Sequence, residues 1–278
     1  MNRKTLHVAA AQIHSDGGIT DRLVRLERQV AGAAAAGVEV ILFAECVLHG
    51  YDSDMNQESV RAVAEPVDGL TCSRVVALAQ RYQLAILAGF FEQSGRAFYN
   101  SHLVARPDGT RAVQRKHVLT PSERRAGLTP GPAARTVFTF NGVRTAIIIC
   151  ADCVIKGLPN QLRDQKVVYR FCPTGGGGKL QDYLHAADLR TPAGRKRYRE
   201  NRSKVFKAEA ILGKQECPQT GFTAANALGP VGKQTCHQGH CMIVDNDRVM
   251  RAQIPGTIVI EHQQDQMIHA RLDFRDEG

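Results

Sequence analysis

The stretch TVFTFNGVRTAIIIC, residues 136–150, combines two apolar segments with a turn signal and ends in a reactive side chain. Asn141-Gly142 between the two segments predicts a tight β-hairpin. The second segment is rich in β-branched residues and ends at Cys150, as expected of a buried strand. Active sites of α/β sheets gather at the carboxyl ends of strands, so we expect the Cys150 thiol to lie at such an edge.

Two other apolar segments carry chemically useful residues. VEVILFAE (38–45) ends at Glu45, and the predicted strand AVQRKHVL (112–119) contains Lys116. A cysteine attacks as its thiolate, and a nearby cation lowers the pKa of the thiol. A carboxylate can take the thiol proton and then activate water, while an ammonium group and a backbone N–H can hold an oxyanion. Each residue alone also has an ordinary interpretation: a core thiol, a capping or paired carboxylate, and a surface lysine.

The rest of the chain alternates predicted strands and helices and ends in strands. The predicted strands lie at 6–13, 84–93, 97–107, 166–173 and in a hairpin over 243–252 that turns at Asp245 to Asp247; Ser94-Gly95 marks another hairpin. The predicted helices lie at 22–36 with a cap at Ile19-Thr20-Asp21, at 72–83 and near 195–212. The glycine run 175–178 is a strong breaker but too short for a linker. We therefore predict an α/β fold with a single domain over residues 1–278.

Composition excludes several classes of protein. Hydrophobic residues make up 43% of the 278 residues, yet no run approaches the ~18–20 apolar residues of a membrane helix. The N-terminal MNRKTLHVAAAQ is typical of a strand and not of an export signal. Eight cysteines in so long a chain favour free thiols in a reducing compartment. We expect a cytoplasmic protein that does not bind membranes.

The net charge of +9 is concentrated in one segment. Residues 190–207, RTPAGRKRYRENRSKVFK, contain eight Arg and Lys residues. This pattern is typical of a solvated helix face or of a lip above an acidic substrate. No zinc finger, helix-turn-helix or aromatic RNA-binding motif accompanies it, so we expect no nucleic-acid partner. A non-catalytic module that binds an anionic partner remains an alternative.

Taken in order along the chain, these segments resemble the nitrilase superfamily of carbon–nitrogen hydrolases. The resemblance rests on VAAAQ (8–12) with VILFAE (40–45), on QRKHVLTPSE (114–123) and on RTAIIICAD (144–152). Weaker similarity continues in VVYRFCPTGGGG (167–178), TAANALGPVG (223–232) and GHCMIVDNDRVMRA (239–252).

The resemblance implies a four-layer α-β-β-α sandwich, a homo-oligomer (a dimer or higher), and chemistry that needs no cofactor. It places the catalytic glutamate at Glu45, the lysine at Lys116, the nucleophile at Cys150 and a second, substrate-positioning glutamate at Glu123. We expect the substrate to contact Ala151, whose N–H follows the nucleophile, and also Tyr51, Thr174 and Gly175.

The sequence also departs from some members of this superfamily. Nitrilases usually have Trp-Glu after the nucleophile, whereas this chain has Ala151-Asp152 and no Trp. N-carbamoyl-D-amino-acid hydrolases have arginines there, whereas VIKGLP (154–159) offers only Lys156. We therefore predict an amidase that cleaves a small linear amide, or an N-carbamoyl compound, to an acid and ammonia. Nitrile hydrolysis by the same residues remains open.

A zinc or redox protein is a competing hypothesis. Cys150 and Cys153 form a C-x-x-C pair, and Cys236, His237, His240 and Cys241 lie within six positions. Thiolate and imidazole groups are the ligands of tetrahedral zinc. Metal analysis of the purified protein would distinguish this hypothesis from the hydrolase.

Overall fold

The computed structural model describes residues 4–205 and 220–274. The described helices are α1 (Ile19–Ala35), α2 (Gln57–Val63), α3 (Leu70–Tyr82), α4 (Pro121–Arg125), α5 (Leu158–Asp164) and α6 (Pro192–Val205). The first eight strands are β1 (Lys4–Gln12), β2 (Val40–Leu42), β3 (Ala85–Ser94), β4 (Ala97–Ala105), β5 (Arg111–Arg115), β6 (Val137–Phe140), β7 (Val143–Ile147) and β8 (Tyr169–Thr174). The later strands are β9 (Gly177–Lys179), β10 (Gly221–Asn226), β11 (Leu228–Val231), β12 (Thr235–Gln238), β13 (Cys241–Val244), β14 (Met250–Ile254) and β15 (Gln266–Phe274).

The first sheet has the strand order β15-β1-β2-β3-β4-β5. Strands β1, β2 and β3 are parallel, whereas β4 is antiparallel to β3 and β5 is antiparallel to β4. Two antiparallel steps restore the direction, so β5 runs the same way as β2. The carboxyl ends of β2 and β5 therefore lie at the same edge of this sheet, beside the beginning of β4.

The second sheet has the strand order β14-β13-β10-β8-β7-β6. Strands β7, β8 and β10 are parallel, and hairpins add β6 and the pair β13–β14 at the two edges. A smaller sheet, β11-β12-β9, forms where the chain leaves the carboxyl ends of β8 and β10. The parallel core of the second sheet thus ends in loops, as does that of the first.

Three apolar clusters define four layers. The first packs α1 and α3 against the outer face of the first sheet, through residues such as Leu26, Val75 and Ile41. The second fills the space between the two sheets. The third packs α5 against the outer face of the second sheet, with Leu162 against Ala146. The predicted four-layer α-β-β-α sandwich is confirmed.

Strand β1 shows why the sequence forms a central strand. Alternate side chains point to opposite faces of a strand. Leu6 and Val8 lie between the sheets, whereas Ala9 and Ala11 face the helical layer. Small alanines on the outer face let α1 approach closely, and both faces are buried as in other central parallel strands.

Several predicted boundaries were wrong. Helix α1 begins at Ile19 with Gly18 as its N-cap, and Asp21 is the third helical residue, whose carboxylate accepts the Gly18 N–H at 2.9 Å. Strand β2 ends at Leu42, not at 45, and β5 ends at Arg115, so Lys116 lies just beyond its strand. Half of the glycine run is strand β9, because Gly177 pairs with His237.

Other predictions of elements were accurate. The hairpins at 94–95, 141–142 and 245–247 are confirmed. The helix near 195–212 begins earlier, at Pro192, and its predicted residues 206–212 lie outside the described residues.

Candidate active site

Glu45 lies in the turn after β2, where the backbone contacts the second sheet. Beyond β2 the backbone leaves the first sheet, and the Glu45 N–H donates to the carbonyl of Thr174 in the second sheet at 3.2 Å. The next residue, Cys46, has a left-handed φ of 50°. This turn fits tightly against β3, since a Cβ on Gly89 would lie 2.2 Å from the Cys46 nitrogen. The tight packing holds the Glu45 side chain in a fixed position, and that side chain is buried.

Lys116 follows β5 and is fully buried. Its backbone N–H donates to the carbonyl of Asn100 on β4 at 2.8 Å, which fixes the residue at the sheet edge. The Nζ atom donates to Glu45 Oε1 at 2.6 Å and lies 2.9 and 3.0 Å from the two oxygens of Glu123. Two carboxylates from different parts of the chain thus share one ammonium group.

Glu123 is positioned by a capping box, a local motif in which the N-cap and N3 side chains satisfy each other's backbone N–H groups. In TPSE (120–123), Thr120 caps the short helix α4 and Pro121 occupies its first turn. The Thr120 N–H donates to Glu123 Oε2 at 2.7 Å. The same carboxylate therefore turns back from the helix towards Lys116.

Cys150 begins a 3-10 turn, Cys150–Val154, just after β7. Its φ of 46° is uncommon for a residue other than glycine, and such strained positions cluster at functional sites. The Gly175 N–H hydrogen bonds to the thiol, which also interacts electrostatically with Glu45 and Lys116. A Cβ on Gly175 would lie 3.0 Å from Glu45 Oε2, so Gly175 lies directly beside both the carboxylate and the thiol.

The electrostatics of the cluster keep the thiol protonated at rest. Burial raises the pKa of Cys150, and the charge of Glu45 raises it further, while Lys116 and the Gly175 N–H lower it only in part. The neighbouring cation does lower the pKa of the thiol, as the sequence predicted, but burial has the larger and opposite effect. Burial also raises the pKa of Glu45, against the opposing effect of Lys116. Burial opposes the charge of Lys116, but the surrounding anions raise its pKa well above the ordinary value, so it stays an ammonium.

The two oxygens of Glu45 differ in their hydrogen-bond partners among the described residues. Oε1 accepts from Lys116 and, at 2.7 Å, from Asn100 Nδ2, whereas the buried Oε2 lacks a partner among the described residues. An unpaired buried carboxylate oxygen is costly and rare outside functional sites. Here it faces Gly175 and is free to accept a proton.

Sequence analysis missed Asn100. The residue lies on β4 opposite Phe91, and it joins Glu45 to Glu123 through its amide group. Its signal in the sequence was the polar run Asn-Ser-His (100–102) inside a predicted strand whose flanks are apolar. Its role depends on the register of β4, which no short motif reveals.

The four predicted substrate contacts lie around this cluster. Tyr51 donates to or accepts from Thr120 Oγ1 at 3.0 Å, and its ring centroid lies 5.7 Å from Lys116 Nζ. Thr174 Oγ1 instead donates to Asn226 Oδ1 at 3.0 Å, which ties β8 to β10. Ala151 is half-buried in the turn after the nucleophile. Whether these residues and Gly175 bind substrate stays a prediction.

A second buried ion pair supports the first. Asp152 Oδ2 accepts from Arg135 at 2.7 Å, and Oδ1 accepts the N–H groups of His117 and Val118 at 2.9 and 2.8 Å. Asp152 lies in the same turn as Cys150, and His117 follows Lys116. Asp152 therefore links the turn that contains Cys150 to the loop that contains Lys116.

The zinc and redox hypothesis finds no support in the described residues, among which no three His, Cys, Asp or Glu side chains are grouped to hold a metal ion. Cys150 packs towards the space between the sheets, whereas Cys153 packs on the outer face of the second sheet. His237 Nε2 lies 2.8 Å from the Tyr51 carbonyl, and Cys236 belongs to another apolar cluster. Cys150 and Cys153 therefore lie on opposite sides of the second sheet.

The basic segment 190–207 includes helix α6, and its residues 206 and 207 lie outside the described residues. The described arginines and lysines of α6 are exposed. Asn201 attaches the helix to the protein through the Asp182 carbonyl at 3.0 Å. Over the described parts of the chain, every helix is too short or too polar to cross a membrane.

The fold brings Glu45, Lys116, Glu123 and Cys150 together in one cluster. The carbon-nitrogen hydrolase family matches residues 7–175. The chain belongs to this family. The match covers all of the cluster but not the C-terminal third, so a single domain over 1–278 stays a prediction.

Curated relatives include amidases. An (R)-stereoselective amidase of a Pseudomonas species is 31% identical over 137 residues, which are 49% of this chain and 48% of that protein. The N-carbamoylputrescine amidase of Arabidopsis thaliana is 26% identical over 185 residues, or 65% of this chain and 62% of that protein. The chain thus spans about half to three fifths of the length of these relatives.

Solved structures share the fold. A CN-hydrolase superfamily protein from Xanthomonas campestris superposes with a TM-score of 0.70 at 16% identity, covering 96% of this chain and 90% of that one. The amidase from Nesterenkonia sp. AN1 gives a TM-score of 0.64 at 16% identity, covering 95% and 92%. At such low identity the likeness shows the fold alone.

Proposed function

We propose that the protein is an amidase that hydrolyses a small linear amide, or an N-carbamoyl compound, through a thioester on Cys150. The observation that supports the proposal most strongly is that the two carboxylate oxygens of Glu45 have different surroundings. Lys116 holds one oxygen, whereas the other lacks a partner among the described residues and lies beside Gly175, whose N–H is a hydrogen-bond donor to the Cys150 thiol. This arrangement suits a general base that is aimed at a protonated nucleophile.

The acylation half of the reaction follows from these contacts. Glu45 Oε2 takes the proton of the thiol, and the sulfur forms a bond to the amide carbon. Lys116 Nζ and the Ala151 N–H stabilise the oxygen that becomes negative. The proton on Glu45 then passes to the nitrogen, the carbon–nitrogen bond breaks, and ammonia or an amine leaves.

Deacylation returns the enzyme to its starting state. Water donates a proton to Glu45 and attacks the thioester carbon. The carbon–sulfur bond breaks, the acid is released, and the thiolate recovers its proton from Glu45. Glu123 keeps the ammonium group of Lys116 in place through both halves, since it contacts Nζ with both oxygens.

The two relatives described above favour an amide over a nitrile, since both are named amidases and one is named for an N-carbamoyl compound. The curated relatives also include a bromoxynil-specific nitrilase that is 31% identical over 124 residues. The chain also lacks the Trp that nitrilases usually place after the nucleophile. We further propose a homo-oligomer, which sedimentation velocity of the full chain would test.

The direct experiment is an ammonia-release screen over aliphatic, aromatic, ω-amide, N-carbamoyl and nitrile compounds. We expect release from at least one amide or N-carbamoyl class and none from the Cys150→Ala variant. With the substrate found, intact-mass measurement should show an acyl adduct on the wild type. Equal release by both proteins, or release from nitriles alone, would refute the proposal.

A further inference from the structure

Asn100 is the residue that makes the two oxygens of Glu45 different. Its side-chain nitrogen donates to Glu45 Oε1 at 2.7 Å and to Glu123 Oε1 at 2.6 Å, so both amide protons are used. Its oxygen faces the Cys46 thiol at 3.3 Å. The side chain is buried, and every polar atom of it has a partner.

The consequence lies on the carboxylate. Lys116 and Asn100 both donate to Oε1 of Glu45, whereas Oε2 lacks a partner among the described residues. Hydrogen bonds to a charged group are among the stronger ones in proteins, so two of them fix the orientation of the carboxylate. Without Asn100 the group could rotate and present either oxygen to the ammonium group.

We propose that Asn100 is a positioning residue that holds Glu45 with Oε1 occupied and Oε2 as the oxygen that exchanges a proton with Cys150. The proposal rests on the proposed function, because it assigns the atom through which that function acts. Asn100 also reduces the electrostatic repulsion within the cluster. The amide group of Asn100 lies between two carboxylates and offsets their mutual repulsion, which the single ammonium group of Lys116 cannot fully neutralise.

A packing role and a hydrogen-bond donor role for Asn100 predict a different order of severity for two substitutions. Asn100→Asp keeps the shape of the side chain but replaces a donor with a third negative charge. Asn100→Ala removes the donor and leaves a gap. If Asn100 only fills space, the aspartate variant is the milder one. If it donates to carboxylates, the aspartate variant is the more severe one, because like charges disfavour the ionised form.

The test measures how fast iodoacetamide alkylates Cys150 across pH, read by peptide mass spectrometry so that other cysteines do not interfere. The lower midpoint of the rate profile reports the carboxyl group that accepts the proton. The titratable groups around Glu45 are Lys116, Glu123, Cys150, Cys46 and Tyr51, which neither variant replaces, while Asn100→Asp adds one carboxyl group beside them. The readout needs no substrate, so it is independent of the amide screen.

Loss of a donor to a carboxylate raises the pKa of that carboxylate, so the midpoint should move to higher pH. We expect a shift of about one pH unit for Asn100→Ala, with alkylation at fixed acidic pH roughly tenfold slower. Asn100→Asp should shift the midpoint further. Ser101→Ala is the matched control, because Ser101 is the next residue, is buried, and donates to the carboxylate of Glu92 at 2.6 Å outside the cluster. Its midpoint should equal that of the wild type.

An unshifted midpoint in both Asn100 variants, or a larger shift for alanine than for aspartate, overturns the proposal. Circular dichroism checks folding; if the alanine variant does not fold, the aspartate variant decides alone by its shift. Failure of the amide screen together with the expected shifts would refute the amidase function but keep the role of Asn100. Normal amide turnover with unshifted midpoints would support the amidase function but refute the proposed role of Asn100.

Discussion

Two buried ion clusters lie at the same end of this protein, and their carboxylates differ in how many oxygens have hydrogen-bond donors. At Asp152 both carboxylate oxygens have donors, from Arg135 and from two backbone N–H groups. At Glu45 one oxygen has two donors and the other lacks any within the described residues. A fully paired carboxylate stabilises a structure, whereas an unpaired oxygen can accept a proton. The comparison separates a structural cluster from a candidate catalytic one.

Changing Lys116 should have the largest effect. Lys116→Met removes an oxyanion donor and leaves Glu45 and Glu123 without their shared cation. We expect turnover to fall by at least ~10²–10³, since a single oxyanion donor contributes that much. Initial rates of ammonia release measure the loss. A variant with turnover near that of the wild type would remove Lys116 from the mechanism.

The main effect of Asp152→Asn should be a lower free energy of unfolding. It leaves Arg135 buried without its counter-charge and places an amide against two backbone donors. Removing one partner of a buried pair costs about 3 kcal/mol or more in the free energy of unfolding. Urea denaturation measures this loss. Arg81→Ala is the control: Arg81 forms an exposed pair with Glu27 at 2.9 Å, and such pairs contribute less than about 1 kcal/mol. Equal losses in the two variants would contradict the comparison.

The pH dependence of kcat/KM should show the smallest and most specific effect. Glu45 must be ionised to accept the thiol proton, and burial raises its pKa above the ordinary 4.5, with Glu123 adding to the rise. Activity should therefore decline as pH falls through this raised pKa, at a higher pH than an ordinary carboxyl group would give. A profile that stays flat down to pH ~4.5 would show that no such base is required.

Local signals predicted much of this architecture. The hairpins formed where the turn residues favoured them, at Asn141-Gly142 above all. Glu45, Lys116 and Cys150 meet because each follows the carboxyl end of a strand and these ends lie at the same end of the two packed sheets. These features depend on neighbours along the chain or on the direction of strands.

The features that were missed depend on contacts across the sheets. Asn100 acquires its role from the pairing of β3 with β4, and Glu45 leaves its strand early in order to reach Thr174. From the sequence, the glycine run 175–178 was interpreted as a strong breaker of secondary structure. Gly177 in fact lies in a strand, where a Cβ would come within 2.5 Å of the Cys236 carbonyl oxygen. None of these long-range contacts has a signature in a short string of residues.

The most direct test of the account is the rate at which iodoacetamide modifies Cys150 in the wild type and in Glu45→Gln at neutral pH. Because burial keeps the thiol protonated, the reaction needs a base, and the glutamine variant should react slower by on the order of 10². Equal rates in the two proteins would mean that the thiol ionises without Glu45, and the proposed mechanism would be wrong.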